Sequence, residues 1–125
     1  MEEKMTKITD AEWQIMSLLW NNEPQTIMQM TKALEESMKW SKHTVITYLK
    51  RMEEKELVHH TEGERAKLYY ADVKRDEAVL QEKEHFLNKV FRGNAGLMVS
   101  TLLQQSDFTQ EEIQYLEEIL TQKKK

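Results

Sequence analysis

Between Ser41 and Arg51 the chain reads Ser-Lys-His-Thr-Val-Ile-Thr-Tyr-Leu-Lys-Arg, a run rich in hydroxyl, imidazole and cationic groups with no carboxylate. Wound as a helix at about 100° per residue, it places Val45, Leu49 and Met52 on one side. His43, Ile46, Thr47 and Lys50 then lie opposite, with Lys42, Thr44 and Arg51 on the flanks. A solvated face is usually more acidic, and here the first acid is Glu53, at the far end. Such a surface suits the major groove. Threonine hydroxyls donate or accept, Ile46 or a threonine methyl meets a thymine methyl, and Lys42 and Lys50 neutralise phosphates or reach guanine acceptors. A recognition helix reads bases mainly with its first turns, which keeps Glu53 and Glu54 away from a duplex. Arg65 and Lys67, further on, supply a second cationic contact. Taken alone, the same helix reads equally well as an ordinary exposed helix with scattered lysines.

The elements that must carry this face follow from local signals. Thr9-Asp-Ala-Glu12 has the form of a capping box, followed by Trp13, Met16, Leu19 and Trp20 on one helical face. Asn21-Asn-Glu-Pro24 stops that helix, because proline biases the residue before it away from helical geometry. Ile27, Met30, Leu34 and Met38 mark a second helix to about Ser37, and Ser41 caps a third, roughly Lys42 to Lys55. The period then changes. Leu57–Thr61 and Lys67–Tyr70 are β-prone runs around Glu62-Gly-Glu-Arg-Ala66, a connection of hairpin length. Three short helices and a hairpin are the order of a winged helix-turn-helix.

The remainder is helical again. Val79, Phe86, Leu87 and Val90 line one stretch that stops at Gly93-Asn94; Leu97, Met98, Leu102 and Leu103 make a short helix. Thr109-Gln-Glu-Glu112 repeats the capping-box pattern and opens a last helix bearing Ile113, Leu116, Ile119 and Leu120. Lys123, Lys124 and Lys125 favourably oppose the negative end of its dipole. Three helices of this size bury too little for independent stability. The expectation is therefore residues 1–75 as a winged-helix DNA-binding domain and residues 76–125 as a three-helix dimerisation region, the alternative being that these helices pack back on the first half. The seam would hold Phe86, Val90, Leu97, Leu102, Ile113, Leu116 and Leu120.

Composition narrows the function classes. The 125 residues carry 18 basic and 22 acidic side chains, and the middle third, Glu35–Arg75, is the only cationic part. The absence of cysteine excludes disulfides, thiolate metal sites and a cysteine nucleophile. No apolar run approaches the roughly 18 residues of a membrane span. The charged opening Met1–Met5 lacks the apolar run of a secretory signal, so a soluble, cytoplasmic protein is expected. No phosphate loop, nucleophile elbow or metal-ligand spacing points to an enzyme or a cofactor. His59 and His60 are adjacent on a strand and point to opposite faces, and His43 and His85 lie apart, so no metal site is expected. Trp13, Trp20 and Trp40 read as core and junction anchors, and the methionines as core filler.

Ile8-Thr-Asp-Ala-Glu-Trp13 through Trp20, Trp40–Arg51, Lys67-Leu-Tyr-Tyr70, Phe86–Gly93 and Thr109–Ile113 together resemble the BlaI/MecI/CopY family of bacterial repressors, in unbroken order along nearly the whole chain. The resemblance implies a mainly α fold with a small hairpin, a winged helix followed by a helical dimerisation region. It also implies a homodimer on a dyad-symmetric DNA operator, with base reading between Lys42 and Lys50 and a wing contact at Arg65. The copper-responsive branch carries a cysteine cluster that this chain lacks. The β-lactam-responsive branch controls resistance genes and is inactivated by proteolysis under a membrane sensor protease or its downstream protease. The matching position is Thr101-Leu102, where those relatives have Asn-Phe. Relatives often carry a basic residue at the Ile46 position, which implies a different operator. The alternatives are a winged-helix module that binds another protein and no DNA, which fold alone does not separate from a DNA binder, or a repressor of the same family answering a different stimulus.

Overall fold

The computed structural model describes residues 7–125, so the reading of Met1–Met5 lies outside the described residues. Eight elements follow in order: α1 (Asp10–Asn21), α2 (Ile27–Met38), α3 (Lys42–Glu54), β1 (Val58–Glu62), β2 (Lys67–Ala71), α4 (Arg75–Phe91), α5 (Ala95–Gln105) and α6 (Gln110–Lys123). The mainly α architecture with one small hairpin is borne out. The chain forms two compact units, one running to Lys83 and one from Glu84 to Lys125, with the boundary inside α4.

Local chemistry sets the helix ends in the first unit. Thr9 accepts from the Glu12 amide at 3.2 Å while Glu12 accepts from the Thr9 amide at 2.9 Å, closing the box that starts α1. Thr26 and Gln29 make a second reciprocal box at the start of α2. The α2 helix ends on Lys39 in a left-handed conformation (φ 56°), and Ser41 caps α3. Gln25 does more than connect α1 to α2. Its side-chain amide donates to the Leu18 and Asn22 carbonyls at 2.8 and 2.7 Å, closing the end of α1. Its backbone exchanges two hydrogen bonds with Tyr69 of β2.

The core of this unit collects Ile8, Ile15, Met16, Leu19, Met30, Leu34, Val45, Leu49, Met52, Leu57, Val58, Tyr69 and Ala78. Trp13, Trp20 and Trp40 pack against it, partly buried, with Trp13 edge-on to Trp20 at 5.2 Å and the Trp20 indole donating to the Val73 carbonyl. Glu12 is the unexpected member. Fully buried, it accepts a hydrogen bond from the Lys55 ammonium at 2.6 Å. Burial alone would raise its pKa, but the Lys55 hydrogen bond, the Thr9 amide and the Lys55 charge outweigh that and hold the carboxyl below its ordinary value.

The hairpin pairs β1 and β2 antiparallel, with His59 opposite Tyr70 and His60 opposite Tyr69. Its turn is closed by the Gly63 amide on the Ala66 carbonyl at 2.9 Å. A Cβ at Gly63 would stand 2.5 Å from that carbonyl oxygen, so close approach is what demands glycine there. Gly63→Ala is accordingly expected to open the turn and cost about 1–3 kcal/mol, typical of forced overpacking. Thermal melts would register the loss, and exchange of the Gly63 amide would place it at the hairpin tip.

In the second unit, Leu87 is buried, whereas α5 and α6 bury no side chain in the single chain. Asn94 caps α5, and Thr109 with Glu112 completes the expected capping box of α6. No helix among the described residues is long and apolar enough to cross a membrane.

Candidate nucleic-acid interface

Val45, Leu49 and Met52 are each fully buried. Burying a side chain of this kind contributes about 1.5–3 kcal/mol, so together they fix which side of α3 turns outward. That side holds Lys42, His43, Ile46, Thr47 and Lys50, all exposed. The hydroxyls are already engaged. Ser41 accepts from the Thr44 amide at 3.2 Å, and its Oγ lies 3.1 Å from that of Thr44, which is half-buried. Thr47 donates to the His43 carbonyl at 3.0 Å, which leaves its methyl group and an acceptor lone pair to face outward.

Arg51, also exposed, lies with its guanidinium 5.8 Å from the centre of the Tyr48 ring, and Tyr48 packs on Trp40 at 4.8 Å. This plate at the entry to α3 was not read from the sequence; Trp40 and Tyr48 both stand inside the run that was. Arg65 sits at the exposed hairpin tip, and Lys67 opens β2 opposite Glu62. Hence Lys42, His43, Ile46, Thr47, Lys50 and Arg51 share one helix, while Arg65 and Lys67 belong to the hairpin.

His59 and His60 take carboxylate partners. His59 Nδ1 lies 2.5 Å from Asp72, and its ring stacks on Tyr70 at 5.0 Å. His60 Nδ1 lies 2.5 Å from Glu53 Oε1. The Glu53 link was not foreseen, because it depends on where the hairpin comes to rest. Among the described residues no group of three or more His, Asp or Glu side chains is arranged to hold a metal ion.

The residues expected at a seam lie in the second unit. Phe86, Val90, Leu97, Leu102, Ile113 and Leu120 are exposed, and Leu116 is half-buried. Thr101 and Leu102 stand inside α5, where the Thr101 hydroxyl donates to the Leu97 carbonyl.

Known proteins resemble this chain. The penicillinase repressor of Bacillus licheniformis is 30% identical over 122 residues, covering 97% of this chain and 94% of that protein. The methicillin resistance regulatory protein MecI of Staphylococcus aureus (strain N315) is 25% identical over 123 residues, 98% of this chain and all of that one. Among solved structures, the monomeric form of Bacillus licheniformis BlaI in complex with the blaP half-operator superposes with a TM-score of 0.53 at 26% identity, over 59% of this chain and 90% of that one. The family profile described as Penicillinase repressor matches residues 8–122, and the chain belongs to that family.

Proposed function

We propose that the chain is a transcriptional repressor that binds a dyad-symmetric DNA operator as a homodimer in the cytoplasm, and that its genes are of the β-lactam resistance class. The observation that carries this is the outward face of α3, polar and free of acids from Lys42 to Arg51, held there by a buried apolar stripe. Residues 1–75 bind DNA and residues 76–125 join two copies. Ser41, Lys42, His43, Thr44, Ile46, Thr47, Lys50 and Arg51 supply the groove contacts, and Arg65 and Lys67 those of the wing. The apolar side chains exposed on α4–α6 support the seam, since so many large apolar groups left in water on neighbouring elements of the sequence call for a partner surface. Induction proceeds by cleavage at Thr101-Leu102 by a sensor protease or the protease below it. Because Thr101 lies within a helical turn, α5 must open locally before a protease can hold that bond extended.

Selection of bound fragments from the source genome tests the reading and yields the half-site. Affinity for the recovered duplex should fall by roughly a thousandfold or more between 50 and 200 mM salt if about six phosphates are contacted. Thr47→Ala is expected to lose about 1–3 kcal/mol of discrimination between cognate and random duplex. Lys50→Ala should weaken both alike and lower the salt slope by about one unit. Equal losses on both duplexes for Thr47→Ala would remove that residue from base reading. A protein that ignores every duplex is a protein-binding module instead.

A further inference from the structure

We propose that His60 is a positioning residue for DNA binding: it seats the wing on the C-terminal end of α3, and the seat tightens when its imidazole takes up a proton. The inference rests on the DNA-binding reading and adds a residue and a pH response to it. His60 Nδ1 lies 2.5 Å from Glu53 Oε1 of α3, and Nε2 lies 3.4 Å from Glu62 Oε2 at the end of β1. Its ring also rests on Tyr69 of β2 at 5.3 Å, and Tyr69 is buried and bridged through its backbone to Gln25. The Tyr69 hydroxyl is pushed up by burial and then by the charges of Glu53 and Glu62. Lys67 stands opposite Glu62 across the hairpin.

A neutral imidazole carries one N–H. With that hydrogen on Nδ1 and donated to Glu53, the Nε2 lone pair faces the Glu62 carboxylate, an unfavourable contact. The imidazolium donates from both nitrogens, so one proton converts the Glu62 contact from repulsive to attractive while keeping the Glu53 bond. Glu62 directly precedes the Gly63 turn that carries Arg65. The proton therefore acts on the segment that sets where the wing's cations stand relative to α3. It also gives Glu53, an acid at the trailing end of the helix, a definite task. His59 offers an internal comparison: it pairs with Asp72 on the other face of the hairpin, and its side chain is 53% exposed.

Two readouts on the full chain separate this latch from the DNA reading. The first needs no DNA: amide-exchange protection factors of residues 58–71 at about pH 8 and about pH 5.5, across imidazole titration. The wild type should gain about threefold protection at the lower pH, the scale of a partly exposed ion pair. His60→Gln and the exposed variant Glu62→Gln should both lose that gain, and His59→Gln should keep it. A gain that survives His60→Gln, or that His59→Gln abolishes, overturns the proposal. The second readout is affinity for the duplex recovered by fragment selection. Here the wild type should gain about threefold more than His60→Gln on acidification. Unchanged affinity in a protein whose wing does respond overturns the positioning role. Failure to bind any duplex, with the wing responding, strikes at the DNA reading and leaves the latch standing.

Discussion

Lys55→Met is expected to destabilise the first unit by about 3–5 kcal/mol at neutral pH, because removing one partner of a buried pair leaves an uncompensated charge. Glu12 is fully buried, its second carboxylate oxygen has no hydrogen-bond partner among the described residues, and without Lys55 the carboxylate would keep only the Thr9 cap. The pH dependence distinguishes this cause from lost packing. In the wild type the Glu12 carboxyl sits below its ordinary value. Its stabilising contribution is therefore fully present above the unfolded-state value and drains away as pH falls through the folded one. In the variant, burial acts without Lys55 to offset it and Glu12 moves upward, so the penalty is largest near pH 7 and shrinks on acidification. Urea unfolding at about pH 7 and about pH 4 measures both ends of that range. Glu12→Gln added to Lys55→Met should recover much of the loss, since contacting residues are not additive. Equal losses at the two pH values would mean that only the lysine stem mattered.

Leu120→Asp should produce monomers that keep their helical content and bind the operator about a hundredfold or more weakly, the scale on which linked half-site binding exceeds a single contact. Leu120 is 53% exposed in the single chain, so a carboxylate there costs the monomer little and acts on association. Sedimentation at several concentrations, with circular dichroism as the fold control, reads the result. Intact dimers would move the seam away from α6.

Much of the scaffold was legible because its signals are local. Thr9 with Glu12 and Thr109 with Glu112 announce helix starts within four residues, and both boxes close as the spacing requires. The stripe Val45, Leu49, Met52 needs only helical periodicity, and it fixed the outward face of α3 without reference to any neighbour. Thr26 with Gln29 carries the same local signal, less visible beside the apolar run of α2. What was not legible depends on long-range placement. Glu12 and Lys55 are separated by 43 positions, and a carboxylate already used as a cap gives no hint of a second partner. The contact of His60 with Glu53 arises only once the hairpin folds back on α3. For Thr47 the sequence leaves the partner of the hydroxyl open, because donation to the His43 carbonyl belongs to one of the two rotamers common for a helical threonine.

Gln25 gives the amide hydrogens of its side chain to the carbonyls of Leu18 in α1 and of its cap Asn22, and pairs both backbone groups with Tyr69. The short link between α1 and α2 therefore has no slack, and a one-residue deletion or insertion there would throw the α1 terminus and the hairpin out of step. On the proposed interface, evolution toward new binding sequences, or deliberate retargeting, is better served by side-chain exchange on the outer surface of α3 and at the Glu64–Arg65 tip. Length changes belong elsewhere in the chain.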